Sequence, residues 1–377
     1  MAPAALTTNG LTTNGLTTNG STRDGGAGMR SRRVVGLGVA LAVAAGALAA
    51  CSSDADDAPT TAAARASDGP TTDGSPGPTY LPGTYGPVPD FGTNPGGLSM
   101  YQYEPAELAD PAPVVVAIHY CSGSADAFRE TGIEALADEQ GFLVVYPQAD
   151  RAGHCFDVAS HESLTRDGGG DSQSIAQMVA HVQDAYATDR VFAFGYSSGA
   201  MMTEVLLATY PDVFAAGAAF AGVPAGCAAT DDPPPGPTRP AARSPECWRG
   251  QVDRTPQEWG DLARAAYPGY MGPRPRVQLW HGTDDAILFY PNFGEAIEQW
   301  TDVLGVPTEP VATDELDGGW TRTRYGADDD QAPVEAYSLE GGVHDLGVHL
   351  AEMARFFGLD GRDSPDDDAD DAVDGDV

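Results

Sequence analysis

Between about Tyr80 and Gly358, short apolar runs alternate with amphipathic stretches, and this alternation predicts a parallel sheet flanked by helices. Pro113 to His119 reads as a buried strand, followed by a helix from about Asp126 to Gln140 and a strand from Phe142 to Tyr146. Asp171 or Ser172 can cap a helix that reaches about Ala187. Val191 to Phe194 is the next strand, and Ser198 to Tyr210 is helical. Gly217 to Gly222 and Val277 to Trp280 are further apolar strands, with a weaker one at Val334 to Ser338. Thr255-Pro256-Gln257-Glu258 has capping-box spacing with proline at the first helical position, so a helix starts around Trp259. The repeated order of strand, helix, strand is that of doubly wound α/β folds.

Outside this span the pattern fails. Leu-Thr-Thr-Asn-Gly occurs three times in tandem from Leu6, Leu11 and Leu16, a polar low-complexity extension over residues 1–28 without core-forming residues. Residues 29–50 are different: Met29 is a candidate start, Arg30, Arg32 and Arg33 precede an apolar run from Val34 to Ala50, and small residues end it. This predicts an export signal, too short and too rich in Ala and Gly for a membrane-spanning helix. Leu48-Ala49-Ala50-Cys51 resembles a bacterial lipobox, which makes Cys51 the expected lipidated N-terminus of a cell-surface lipoprotein; an ordinary cleaved signal leading to secretion is the alternative. Residues 51–97 read as a disordered linker, which as a coil spans on the order of 35–40 Å. The catalytic domain is expected over 98–358 and a solvated acidic tail over 359–377.

Charge narrows the partners. Of the 377 residues 55 are acidic and 20 basic, a formal net charge of −35, and every basic residue is arginine. A field of that sign repels nucleic acid and anionic lipid head groups. Cysteine count points to export as well. Five cysteines leave one unpaired, and Cys51 lies outside the patterned region. Three pairings of the other four are formally possible, and Cys121 with Cys155 and Cys227 with Cys247 are favoured, the second bracketing a proline-rich excursion.

The chemistry begins at Gly195-Tyr196-Ser197-Ser198-Gly199, which follows a strand and precedes a helix. A sharp strand-to-helix turn with glycines at both ends exposes a serine hydroxyl at a helix N-terminus, so Ser197 is the candidate nucleophile. A hydroxyl needs a base, and the base a carboxylate, in chain order serine, acid, histidine for such folds. The strand Val277 to Trp280 runs into His281-Gly282-Thr283-Asp284-Asp285. Asp285 is the preferred acid by its four-residue offset from His281, and Asp284 is its rival. Of seven histidines, His344 follows the last strand in a glycine-rich loop and is the candidate base. The oxyanion donors are expected to be the backbone N–H of Ser198 and, from the loop after His119, that of Cys121. Cysteine and histidine spacings fit no zinc site, and Gly168 to Gly170 lacks the Lys-Ser/Thr ending of a phosphate loop, so neither metal nor cofactor is expected.

These residues resemble the carbohydrate-esterase family that groups acetylxylan esterases, feruloyl esterases and polyhydroxybutyrate-depolymerase-like proteins. The matching stretches include Ala117 to Cys121, Cys155 to Val158, Gly168 to Ser172, Gly195 to Met202, Ala208 to Gly217, Gly222 to Cys227 and Pro275 to Thr283. The resemblance implies an α/β-hydrolase fold, a triad of Ser197, Asp285 and His344, and the same two disulfides. It also implies hydrolysis of acetyl or feruloyl esters on a xylan-type polysaccharide; separately, a monomer is expected. Two departures stand out: His119-Tyr120 replaces the generic His-Gly of the oxyanion loop, and Gly341-Gly342-Val343-His344 alters the usual setting of the base. A polyester depolymerase, a small-ester carboxylesterase, a peptidase with the same triad and a non-catalytic carbohydrate-binding lipoprotein are the competing readings.

Overall fold

The computed structural model describes residues 83–361; the expected export signal, Cys51, most of the expected linker and nearly all of the expected acidic tail lie outside them. Ten strands form one sheet in the order β1-β2-β4-β3-β5-β6-β7-β10-β9-β8. They are β1 (Thr84–Val88), β2 (Ser99–Glu104), β3 (Ala112–Ile118), β4 (Leu143–Gln148), β5 (Thr188–Tyr196), β6 (Ala216–Phe220), β7 (Arg276–Gly282), β8 (Ala312–Leu316), β9 (Trp320–Tyr325) and β10 (Val334–Leu339). The six from β4 through β10 in the sheet run parallel, while β1 with β2 and β8 with β9 form antiparallel wings. Every parallel strand named from the sequence is present.

Two-residue periodicity sorts the core. On β3, Val114, Val116 and Ile118 face one side, where α3 (Asp171–Ala185), α4 (Ser198–Thr209), α6 (Pro256–Ala265) and α7 (Pro291–Leu304) pack. Val115 and Ala117 face the other side, against α1 (Ala125–Arg129), α2 (Ile133–Gln140) and α8 (Leu350–Phe357). Both faces of the central strands are therefore covered, which is why their sequences run continuously apolar. Each large side chain buried this way, such as Phe194 or Trp300, contributes roughly 1.5–3 kcal/mol. A short helix, α5 (Pro245–Trp248), lies in the proline-rich excursion.

Several expectations need correction. The helix expected over Asp126–Gln140 is two helices, because Gly132 takes a left-handed φ of 85° and turns the chain between α1 and α2. Asp171 does not cap α3; Gly170 occupies the cap, and the Asp171 carboxylate instead forms a buried two-point pair with Arg151. Strand β1 lies inside the segment expected to be linker. Only Val88 of its five residues is buried, so no apolar run marked them, and pairing with β2 supplies the order. Helix α7 was not read at all, although Pro291 at its start and Phe293, Ala296, Ile297, Trp300 and Leu304 at helical spacing announce it. The capping box of α6 is present in full.

Candidate active site

Strand β5 ends and α4 begins within one residue, and Ser197 sits at that corner with φ 54° and ψ −114°. This is a strained conformation for a residue with a side chain. The backbone at the corner is crowded: a Cβ at position 195 would lie 2.3 Å from the Gly199 backbone, and one at 199 only 2.0 Å from the Ile118 carbonyl oxygen. Glycine at both positions is thus a steric requirement. The Ser197 N–H donates to the Phe220 carbonyl (2.9 Å), anchoring the corner on β6.

The acid and the histidine arrive on neighbouring strands. β7 and β10 pair in parallel, and beyond their ends the two loops are laced together. Thr283 N–H donates to Leu339 O (3.0 Å), Asp284 N–H to Gly342 O (2.8 Å) and Gly341 N–H to the Thr283 hydroxyl (2.7 Å). Gly282 has no Cβ because the Gly342 carbonyl oxygen would be 2.2 Å from it. From this double loop His344 projects Nδ1 to Asp285 Oδ2 at 2.7 Å and Nε2 to Ser197 Oγ at 2.9 Å. With Nδ1 carrying the proton donated to the carboxylate, Nε2 is free to accept the serine proton. Of the two candidate acids, Asp285 makes this contact and Asp284 points to solvent.

Asp285 is surrounded by donors. Burial by itself would raise its pKa, yet hydrogen bonds from His281 and His344 and the Ile287 amide hold it well below the usual carboxylate range. The amides of Ile287 and Leu288 reach Oδ1 at 2.8 and 2.9 Å. His281 Nε2 lies 2.6 Å from the Leu288 carbonyl and 3.4 Å from Asp285 Oδ2, bracing the acid turn from behind.

Three supporting side chains escaped the sequence reading. Tyr196, the second residue of the elbow, donates its hydroxyl proton to the His344 carbonyl and accepts from the Leu346 N–H (3.1 Å), gripping the histidine loop on both sides of Asp345. His119 is buried, and burial pushes its pKa down to about 4. Its neutral ring spans from the Tyr120 carbonyl (2.7 Å) to the Ala149 N–H (3.2 Å) and fixes the start of the loop that carries Cys121. Arg151, paired with Asp171, also binds the carbonyls of Gly96 (2.8 Å) and Cys155 (3.3 Å). The only sequence signal for these three was their position beside motif residues.

Both disulfides form as favoured, Cys121 with Cys155 and Cys227 with Cys247. Cys121, Ser197 and Ser198 line one cavity of about 190 Å³. Ser198 turns its hydroxyl to the Phe156 N–H (2.8 Å), leaving its own N–H in the open first turn of α4. Apolar groups form most of the rest of the wall, among them Val158, Met201, Ala241, Trp248 and Ile287, and Arg243 adds a cation. Ala241 and Trp248 belong to the proline-rich excursion, which Gln299 fastens in place by bonding both the N–H and the carbonyl of Ala225. Among the described residues no group of three or more His, Cys, Asp or Glu side chains is placed to hold a metal ion.

A mostly parallel sheet, helices on both faces and a serine at the β5–α4 corner define an α/β hydrolase. Residues 98–232 match the sequence model of the family described as "Esterase PHB depolymerase". A probable acetylxylan esterase A of Aspergillus flavus is 42% identical over 280 residues, covering 72% of this chain and 87% of the relative. Feruloyl esterase B of Talaromyces stipitatus is 41% identical over 287 residues, covering 75% and 78%. The solved acetyl xylan esterase from Aspergillus awamori superposes with a TM-score of 0.69 at 37% identity, covering 74% of this chain and all of that one. The chain belongs to the esterase family of these acetylxylan and feruloyl esterases and is a carboxylic ester hydrolase.

Proposed function

We propose that this chain is an exported serine esterase that removes acetyl or feruloyl groups from a xylan-type polysaccharide, with Ser197, His344 and Asp285 as its triad. The observation that carries the reading is the continuous hydrogen-bonded line from Ser197 Oγ through His344 to Asp285, drawn from three separate segments of chain. The relatives' names supply the substrate class.

In this reading His344 Nε2 takes the proton of Ser197 as Oγ attacks the ester carbonyl. The tetrahedral oxyanion turns toward the N–H groups of Ser198 and Cys121, each worth roughly a hundredfold or more in rate. His344 then gives the proton to the departing alcohol, leaving an acyl-enzyme. Water, deprotonated by the same imidazole, releases the acid. Asp285 remains ionised throughout and stabilises the imidazolium. The sequence calls on no cofactor for these steps. A second reading, a polyester or small-ester hydrolase, is favoured by the description of the matching family model. Turnover of acetylated xylan, methyl ferulate and polyhydroxybutyrate side by side separates the two.

Export and anchoring through Cys51 rest on the signal-like segment 29–50. One experiment tests chemistry and address together: fluorophosphonate labelling of cell fractions after expression of the full chain in a bacterial host. The label is expected on a membrane-associated protein, absent in Ser197→Ala and shifted to the culture fluid in Cys51→Ser. Labelling that survives Ser197→Ala refutes the nucleophile, and wild-type protein recovered from the fluid with an unmodified Cys51 refutes the anchor.

A further inference from the structure

A second cleft, of about 530 Å³, opens beside Tyr196 and Asp345, the neighbours in sequence of Ser197 and His344. It lies within the volume range of small-molecule sites, and its lining includes Tyr120, Phe128, Glu130, Tyr196, Asp345 and Val348. The two hollows differ in chemistry. The cavity beside Ser198 is walled by a disulfide and mostly apolar side chains, with Arg243 its one charged group, whereas this cleft carries two carboxylates and two tyrosine rings.

Its position relative to the reacting atoms is fixed by side chains already described. The rings of Tyr120 and Tyr196 meet edge to face with centroids 6.1 Å apart, and Tyr196 lies 5.7 Å from the His344 ring. Asp345 directly follows the histidine in sequence. In acyl transfer the imidazole must hand its proton to the leaving oxygen, so the alcohol half of an ester lies on the histidine side of the serine. The acyl half extends the other way. The cleft is therefore on the alcohol side.

Tyr120 is one of the few large apolar side chains that remain exposed, at 37%. It sits beside the oxyanion loop, where His119 and the Cys121–Cys155 disulfide hold its backbone rigid. An exposed aromatic face on a rigid loop suits the flat apolar face of a pyranose ring. Glu130 and Asp345 are exposed, and no ion pair ties either of them to another described residue. Free carboxylates accept hydrogen bonds from sugar hydroxyls and repel carboxylated sugars.

We propose that this cleft is the subsite for the sugar chain of the alcohol, that it binds neutral pyranose units with Tyr120 as stacking platform, and that Glu130 and Asp345 disfavour uronic acids next to the scissile ester. This rests on the polysaccharide reading given above and names where the polysaccharide lies. The test compares kcat/KM for acetylated xylotetraose with that for 4-nitrophenyl acetate, which has no sugar. In Tyr120→Ala the ratio of the two is expected to fall at least tenfold, mainly through KM for the oligosaccharide, while Tyr120→Phe keeps it within about threefold. Glu130→Gln combined with Asp345→Asn is expected to narrow the preference for neutral over glucuronic-acid-substituted acetylated oligosaccharide at least threefold. An unchanged ratio in folded Tyr120→Ala, or equal losses on both substrates, overturns the subsite and leaves the esterase reading standing. A wild-type protein that hydrolyses 4-nitrophenyl acetate but no acetylated xylo-oligosaccharide overturns the polysaccharide reading and the subsite with it. If even 4-nitrophenyl acetate is untouched, the serine esterase assignment itself fails.

Discussion

Two buried carboxylates, one in the loop after β7 and one on α4, have opposite fates. Asp285, 4% exposed, is met by His344, His281 and the amides of Ile287 and Leu288, and its pKa lies well below that of a free carboxylate. Glu204, 1% exposed on α4, is met by a single donor, Trp300 Nε1 at 3.1 Å, and burial pushes its pKa up to about 8. Both are sealed from solvent contact, but Glu204 lies deeper in the protein and has fewer donors. Where donors converge, a carboxylate stays charged, as the proposed triad requires, and where one donor stands alone it takes up a proton.

The largest effect is expected from breaking the Asp285 side of this contrast. Asp285→Asn keeps the shape and lets the amide oxygen go on accepting from the Ile287 and Leu288 amides. It turns an NH₂ toward His344, however, forcing the imidazole into the wrong tautomer. Its kcat on 4-nitrophenyl acetate should fall by about 10³–10⁴, while Glu204→Gln stays within threefold of wild type. Similar losses in the two variants contradict the division of roles.

The next effect, in stability, concerns Glu204. Below pH 4.5 both folded and unfolded chains carry it protonated. As pH rises from there toward 8 the unfolded chain ionises first, so the folded state loses stability across that window. Glu204→Gln mimics the protonated form and keeps the bond from Trp300, so urea unfolding should find it more stable than wild type by on the order of 3 kcal/mol at pH 8, with the gain vanishing near pH 4.5. A gain independent of pH would mean that packing, not ionisation, is responsible.

The smallest effect sharpens the Asp285 side alone. Tyr196→Phe frees the His344 loop from its hydroxyl clamp, loosening the donor on which Asp285 depends. We expect kcat for 4-nitrophenyl acetate to fall about tenfold, consistent with an alignment loss of roughly 1.4 kcal/mol, and the pH dependence of stability assigned to Glu204 to stay as in wild type. A kcat that does not change shows the clamp to be dispensable.

The elbow was legible because its requirements are local. Gly195, Ser197 and Gly199 lie within five residues, and the strand and helix that flank them carry their own apolar signatures. Asp285 was harder, since two adjacent aspartates present the same residue type and only the turn geometry, with the Ile287 and Leu288 amides closing on one of them, separates them. The clamps of Tyr196, His119 and Arg151 were invisible for another reason: each acts on a backbone group brought near by folding, and a backbone carbonyl has no letter in a sequence. The wing strands β1, β8 and β9 were missed because strands so little buried lack the continuous apolar run that marks strands covered on both faces.

The sequence alone determined the layering of strand and helix, the serine corner and the set of four cysteines available for pairing, because each depends on residue types at short spacing or on counting. Only the tertiary structure decided which aspartate faces His344, that the serine meets a histidine 147 residues away, and that one buried acid is charged while the other is neutral. Those outcomes depend on distances between segments remote in the chain, and hydrogen bonding falls away within an ångström of its optimum.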